Sequence, residues 1–402
     1  MKILIVSNLF APDFCGGAAQ FTDLAKGLLQ RGHEVEVFTA FPYYPEWVKK
    51  SDYGFFALKP ERVDGVNVVR HGLYVPGNPS RLVPRLCYEL SFAVVLFRSL
   101  FRGSRSDVTI VFCPLLGAVI FAVVRKLLRR ELLWINIQDI PTDASIAAGI
   151  SKPGVFQSIA QSFQRWLFRR GNAISTISNA MQSRLEELIG PDRTIDVCSN
   201  WLISEYKPLK NDEKVFVADA SKKTIDLLYC GNIGHKQGLL EFCSALHETE
   251  IDFRFQIRGD GAAMDKLRQW INEKSDRRFE LKGFLDDQEF VSAIAATDLF
   301  VLTEKPGSGF SFIPSKLIPA ISIGTPLLVI SDATSPLGQE TIEHRLGLHC
   351  SWEDIDRLPC RVSELSHLKM QTFSANCLSR AVYYTREAAL DRYETVLNRL
   401  HG

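Results

Sequence analysis

Lysines framed by glycine-rich turns can neutralise a phosphate, and two such turns stand out in this sequence. The first is Cys230-Gly231-Asn232-Ile233-Gly234-His235-Lys236-Gln237-Gly238, directly after an apolar run. Glycines let a backbone approach an anion closely, and a lysine among them at a strand–helix junction suits a diphosphate. A solvated surface lysine is the other reading, and His235 reads as shaping the loop. The second turn runs from Pro306-Gly307-Ser308-Gly309 to Pro314-Ser315-Lys316. There Ser315 is expected to cap a helix, with Lys316 and the free N–H groups converging on the same anion. Two lysines and two helix starts suffice for one diphosphate without a metal. Two further loops carry less information. Pro12 to Gly16-Gly17 reads equally as a phosphate loop or a turn, and Gly259-Asp260-Gly261 also makes a plain turn. No G-x-G-x-x-G follows the first strand, which argues against a dinucleotide in the first half.

Such loops work only if strands deliver them to one edge of a sheet. Lys2–Ser7 reads as a strand buried on both faces, followed by a helix from about Gln20 to Gln30 and the strand Glu34–Thr39. Further strands are expected at Thr109–Phe112, Leu132–Ile137 and Ala173–Ile177. Helices are expected at Ala118–Arg130, Gly154–Arg170 and Ala180–Leu188, the last capped by Ser178 and Asn179. Periodicity lapses near Trp201–Asp219, which marks a linker. A second series then follows: strands Ile225–Cys230, Phe253–Arg258, Phe279–Lys282, Leu299–Leu302 and Leu327–Ile330, with helices starting near Gly238, Ala262, Asp287 and Ser315. Arg380–Leu400 reads as one long helix. The expected class is α/β, with two doubly wound Rossmann-like domains facing one another.

Composition narrows the function classes. The chain has 402 residues, 46% hydrophobic and 23% charged, which speaks against both disorder and a multi-span membrane protein. None of its nine cysteines forms a C-x-x-C pair or stands near a histidine at zinc-finger spacing. They read as small buried hydrophobes in a reducing compartment. After Met1-Lys2 the apolar run Ile3–Val6 is too short for a signal peptide, so a cytoplasmic location is expected. Val108–Val124 is uncharged, but Pro114 and Gly117 inside it favour a strand and a helix start over a membrane span. The net charge of +1 is uneven, since nine basic and two acidic side chains lie in residues 81–130. With Arg165-Trp166-Leu167-Phe168-Arg169-Arg170, this predicts an anionic membrane surface meeting residues 81–130 and 164–170. An ordinary solvated face is the alternative. No nucleic-acid partner is expected.

Several stretches resemble the group 1, family 4 glycosyltransferases of the GT-B fold, and within them bacterial capsule and O-antigen enzymes of the fucosyl or N-acetylfucosaminyl type. They are Gly16-Gly17, Arg31–Val35, Phe41-Pro-Tyr-Tyr-Pro-Glu-Trp47, Leu73–Pro76 with Asn78–Ser80, Ile137-Gln138-Asp139, Ser199-Asn200-Trp201, Gly231–Gly234 with Lys236–Gly238, and Pro314-Ser315-Lys316-Leu317. The resemblance implies an acceptor-binding domain at 1–205, a donor-binding domain at 206–378, an interdomain cleft, and a C-terminal helix (379–402) packed back on the first domain. It implies retaining, metal-independent and cofactor-free transfer of a sugar, possibly an N-acetylated amino or deoxyamino sugar. The donor would be a nucleoside diphosphate sugar, UDP foremost. The acceptor would be a lipid-linked, polyprenyl-pyrophosphate glycan precursor of surface polysaccharide, at the inner face of the cell membrane. Lys236, Lys316 and Asp139 are the implied catalytic residues. Gly16, Gly17, Gly231, Asn232, Gly234, Gly259, Gly261, Phe284, Leu285, Glu304 and Ser315 are the implied donor contacts. Four positions depart from the pattern: Asn232 stands for an arginine, Gln138 for a histidine, and Ser311 and Pro319 for a pair of glutamates, which Glu304 partly replaces. Two rivals remain open, a UDP-sugar 2-epimerase of the same fold and a catalytically silent nucleotide-sugar-binding subunit.

Overall fold

A computed structural model describes residues 1–14, 17–78, 81–142, 154–203, 224–307 and 313–402. The chain divides into two units, one of residues 1–203 with 386–402 and the other of residues 204–385. The expected linker falls mostly outside the described residues.

The first unit contains β1 (Lys2–Val6), α1 (Ala18–Gln30), β2 (Glu34–Ala40), β3 (Leu58–Val63), β4 (Val66–His71), α2 (Leu82–Phe97), β5 (Val108–Cys113), α3 (Leu116–Arg129), β6 (Leu132–Ile137), α4 (Val155–Phe168), β7 (Ala173–Thr176), α5 (Asn179–Ile189) and β8 (Ile195–Val197). Its sheet order is β3-β4-β2-β1-β5-β6-β7-β8, parallel except at β3. Alternation along β1 explains the layering. Ile3 and Ile5 pack with Phe21, Leu24, Leu390 and Tyr393 on one face, while Leu4 and Val6 pack with Phe92, Phe121 and Leu185 on the other. The uncharged run from Val108 divides into β5 and α3, the break falling at Pro114. Ser178 caps α5 by accepting from Met181 N at 3.2 Å.

The β3–β4 hairpin is not among the expected elements. Its signal was Asp64-Gly65, which turn with φ of 48° and 87° and join the strands in two residues. Pro60 is tolerated in β3 because that strand is the sheet edge.

The second unit contains β9 (Ile225–Asn232), α6 (Leu239–His247), β10 (Phe253–Asp260), α7 (Met264–Lys274), β11 (Phe279–Lys282), α8 (Asp287–Ala296), β12 (Leu299–Thr303), α9 (Leu317–Ile323), β13 (Leu327–Ile330), α10 (Pro336–Glu343), β14 (Gly347–Cys350), α11 (Leu358–Ser363) and α12 (His367–Ala381). The order β11-β10-β9-β12-β13-β14 is fully parallel. Chain direction across the sheet reverses between β9 and β12, and this switch point is where open α/β sheets bind ligands.

Two expectations are corrected here. Arg380–Leu400 is not one helix: α12 ends at Ala381, Thr385 is extended, and a separate C-terminal helix spans Arg386–His401. The break has a cause. Arg380 and the Tyr384 hydroxyl are tied to Glu340 of α10, while Arg386 is tied to Asp23 of α1. The C-terminal helix thus packs in the first unit, where the Tyr393 hydroxyl accepts from Asn136. The cysteines are not all buried either, since Cys87 and Cys360 are exposed.

Candidate active site

At the switch point, Gly231 stands one residue before the end of β9 with φ +127°, a conformation open to glycine. A Cβ there would lie 2.4 Å from Lys316 Cε, so the missing side chain is the space Lys316 occupies. Lys316 Nζ donates to the Tyr229 hydroxyl at 3.0 Å and sits 4.3 Å from the ring centre. The Tyr229 hydroxyl donates in turn to the Asn232 carbonyl at 2.5 Å. Burial brings the Lys316 pKa down to about 8 and pushes the Tyr229 phenol up.

The neighbouring loops lock onto this point. Gly259 runs so close to β9 that a Cβ would meet the Gly231 oxygen at 1.8 Å. One at Gly261 would meet Asn232 Oδ1 at 2.5 Å. Ile233 N donates to the Asp260 carbonyl and Ala263 N to the Ile233 carbonyl. Gly234 N donates to Gln237 Oε1 at 3.0 Å, so Gln237 rather than the exposed His235 closes the turn. The Lys236 carbonyl accepts from Lys305 N at 2.8 Å, which anchors its backbone beside the end of β12 and leaves its side chain exposed. Glu304 follows β12 and is buried, and its Oε1 has no hydrogen-bond partner among the described residues. Burial raises its pKa, a hydrogen bond from Ser335 partly offsets the rise, and nearby Asp332 adds to it.

Gly231, Asn232, Gly234, Lys236, Gly259, Gly261, Glu304 and Lys316 therefore gather at the ends of β9, β10 and β12. Phe284 and Leu285 follow β11 on the same edge, two strands or roughly 10 Å from β9, with Phe284 exposed. Ser315 is not the cap it was expected to be. Lys316 occupies the N-cap position without a side-chain cap, and Ser315 is exposed. The cause is the tight turn, in which Leu317 N bonds the Pro314 carbonyl. Gly17 begins α1 in the first unit. A Cβ there would meet the Phe21 ring at 2.4 Å, so any side chain would force that ring to shift. Asp139 follows β6 of that unit and accepts from Ile140 N at 2.9 Å, a local turn contact. Gly16, Ser308 and Gly309 lie outside the described residues. Among the described residues no group of three or more His, Cys, Asp or Glu side chains could hold a metal ion.

Residues 16–201 match the glycosyl transferase 4-like domain, and residues 224–366 match the glycosyl transferases group 1. The chain belongs to the group 1 glycosyltransferases. A relative in Escherichia coli (strain K12), named as the colanic acid biosynthesis glycosyl transferase WcaI, is 28% identical over 84% of this chain and 85% of its own. The glycosyltransferase WbjE of Pseudomonas aeruginosa is 22% identical over 73% and 75%. Among solved structures, the sucrose-phosphate synthase of Thermosynechococcus elongatus superposes with a TM-score of 0.69, at 14% identity over 99% and 98% of the two chains. Anabaena HepE in complex with UDP and glucose gives 0.62, at 16% identity over 100% and 99%. The fold is GT-B, with two parallel-sheet α/β domains.

The transferase has a second cluster that the sequence reading did not assemble, at the strand ends of its first unit. Asn8 Nδ2 donates to the hydroxyls of Tyr43 and Tyr88, both at 2.9 Å, and those hydroxyls bond each other. Trp47 packs against Tyr43, Tyr44 and Tyr88 at a φ of +55°, a left-handed conformation costly for a bulky residue. Arg85 lies over the Trp47 and Tyr88 rings and 3.6 Å from Glu89. Burial raises the Glu89 pKa, while Arg85 and Leu116 N lower it. The signal was present as Phe41–Trp47, but its partners Arg85, Tyr88 and Glu89 stand some forty residues on. In the second unit the transferase also brings Arg258 beside Cys230 across β10 and β9, a cation given no role from the sequence.

Proposed function

We propose that this transferase moves a sugar from a nucleoside diphosphate donor, UDP foremost, to a lipid-linked glycan precursor of surface polysaccharide. Transfer would proceed with retention and without a metal. The observation that carries the reading is the seating of Lys316 in the space left by Gly231 at the β9–β12 switch point. As the nucleoside diphosphate departs, negative charge grows on its outer phosphate. Lys316 and Lys236 offset that charge, Arg258 adds a third cation, and the interaction strengthens in the transition state. The backbone of Gly231–Gly234 lies against the diphosphate, with Gly259 and Gly261 holding the loop. Glu304 accepts a donor hydroxyl, and Phe284-Leu285 flank the base.

The first unit takes the acceptor. Trp47 offers an aromatic face and Arg85 and Glu89 offer polar groups, the combination that suits a sugar ring. Polysaccharide synthesis is supported by the name of WcaI, a colanic acid biosynthesis enzyme, and UDP by the ligand of HepE. A lipid-linked acceptor places the enzyme at a membrane surface, which residues 81–130 and 164–170 would meet. No helix among the described residues is long and apolar enough to cross a membrane.

Thermal-shift measurement against a nucleotide panel tests the donor reading. UDP should raise the Tm by mass action in the native chain and by less in Lys316→Met at the same concentration. An absence of any shift with every nucleoside diphosphate would overturn it. Incubation with donor alone separates transfer from epimerisation, because an epimerase converts its substrate without an acceptor.

A further inference from the structure

Helix α2 is apolar on both of its faces. Tyr88, Phe92, Val95 and Leu96 are buried in the sheet core. On the opposite face Val83, Leu86, Leu90, Val94 and Phe97 recur every three or four residues, and all are exposed. Val83 is 68% exposed, Leu90 62%, and Phe101 continues the line at 72%. A solvent-facing helix normally carries charges on that side. The two charged residues of α2, Arg85 and Glu89, instead pair with each other on its inner flank.

The exposure continues across the layer. Leu127 and Leu128 of α3 are exposed, as are Ile159, Phe163 and Trp166 of α4, and α3 packs against both α2 and α4. The other face of the same sheet is an internal control. Among the described residues of α1 and the C-terminal helix no large hydrophobic side chain is exposed. That face carries ion pairs instead, Arg31 with Glu387 and Asp391, and Arg386 with Asp23.

We propose that the α2–α3–α4 face lies in the surface of a phospholipid bilayer, held mainly by insertion of its apolar side chains. Three features favour a bilayer over a protein partner. The apolar residues spread over three helices of one layer, and the α2 stripe runs about 21 Å along its axis, a length that lies flat in an interface. Exposed arginines edge the apolar surface and stack on its rings: Arg98 lies 5.7 Å from the Phe56 ring and Arg170 4.6 Å from that of Trp166. Aromatic rings beside arginines fit the headgroup level. The lipid-linked acceptor of the proposed function would also be met there, though the inference stands on the exposed side chains.

Insertion, rather than charge, is the stronger force here because the basic count overstates the available charge. Arg125 is fully buried in a pair with Glu131, 2.8 Å apart, and Glu131 lies just past the basic window. Arg129 pairs with the same carboxylate, and Arg85 with Glu89. Binding should therefore survive salt and tolerate neutral lipid.

Vesicle flotation of the full chain tests this. The probes are pure phosphatidylcholine vesicles and vesicles with about 30% phosphatidylglycerol, at roughly 0.1 and 0.5 M salt, where screening differs strongly. Binding to both lipids at both salts is expected. Leu90→Asp/Val94→Asp should lower partitioning at least about tenfold, since apolar burial drives insertion. Leu368→Asp, at an exposed apolar position of the second unit, should not. The Tm and the UDP-induced shift of the double variant should match the native chain, which separates this result from failure of the donor reading. Binding confined to anionic vesicles at low salt would overturn the proposal. So would a double variant that floats like the native chain, or native dimers in sedimentation that the double variant abolishes.

Discussion

Lys316 reaches the active-site edge by lying on Tyr229, with its ammonium 4.3 Å from the ring centre and 3.0 Å from the hydroxyl. The ring shields the ammonium on one side and leaves it facing the space above Gly231. Lys316→Met keeps the length and removes the charge. It should weaken donor binding by about 1.5–3 kcal/mol, the worth of a charge-assisted hydrogen bond, read as Kd by calorimetry. Tyr229→Phe keeps the stacking and loses two hydrogen bonds, the one accepted from the Lys316 ammonium and the one donated to the Asn232 carbonyl. It should cost about 1–3 kcal/mol.

The same burial makes the site sensitive to pH. Lys316 is charged below about 8 and loses its proton as pH rises through that value. A negatively charged donor binds the charged form, so donor kcat/KM should fall with rising pH across that point, and donor binding there should take up protons. Lys316→Arg stays charged throughout, since a guanidinium titrates above about 12. Its profile should lose this limb even if its maximum is lower.

Two glycines in adjacent loops should behave differently. Gly231→Ala places a methyl against the flexible end of Lys316 and forces a left-handed alanine. A loss of donor affinity is expected, with a stability cost of about 1–3 kcal/mol from backbone strain. Gly259→Ala drives a methyl into the backbone oxygen of Gly231, which cannot move aside. This variant should unfold the second unit at markedly lower temperature, seen by calorimetry.

Glu304 holds a buried carboxylate oxygen with no partner among the described residues, which costs stability unless a ligand uses it. Glu304→Gln removes that burden. The Tm should stay level or rise, while the donor KM should rise about tenfold, a trade expected where a site stores strain. A fall in Tm with unchanged KM would show a purely structural carboxylate.

Much of the fold was legible because apolar runs and helical periods are local. Leu132–Ile137, Phe279–Lys282 and Leu327–Ile330 were read with the bounds they have in the structure. Less was legible where neighbours decide. The cap expected at Ser315 falls one residue away because helix capping depends on where a turn tightens. The hairpin at Asp64-Gly65 was missed because it forms on an edge strand interrupted by Pro60.

Glycines, lysines and strand ends lie close along the chain, so the second unit's candidate phosphate loops could be read from local residues alone. The sequence by itself also determined that the first unit is rich in arginine. Only the tertiary structure decided which charges are available, because the Arg125–Glu131 pair closes across six residues inside the core. It also decided that Lys316 meets Gly231 across eighty-five positions, and that one face of α2 stays apolar in solvent. The physical reason is common to all three. Burial is a property of packing between distant segments, and both the pKa of Lys316 and the exposure of Leu90 are consequences of it.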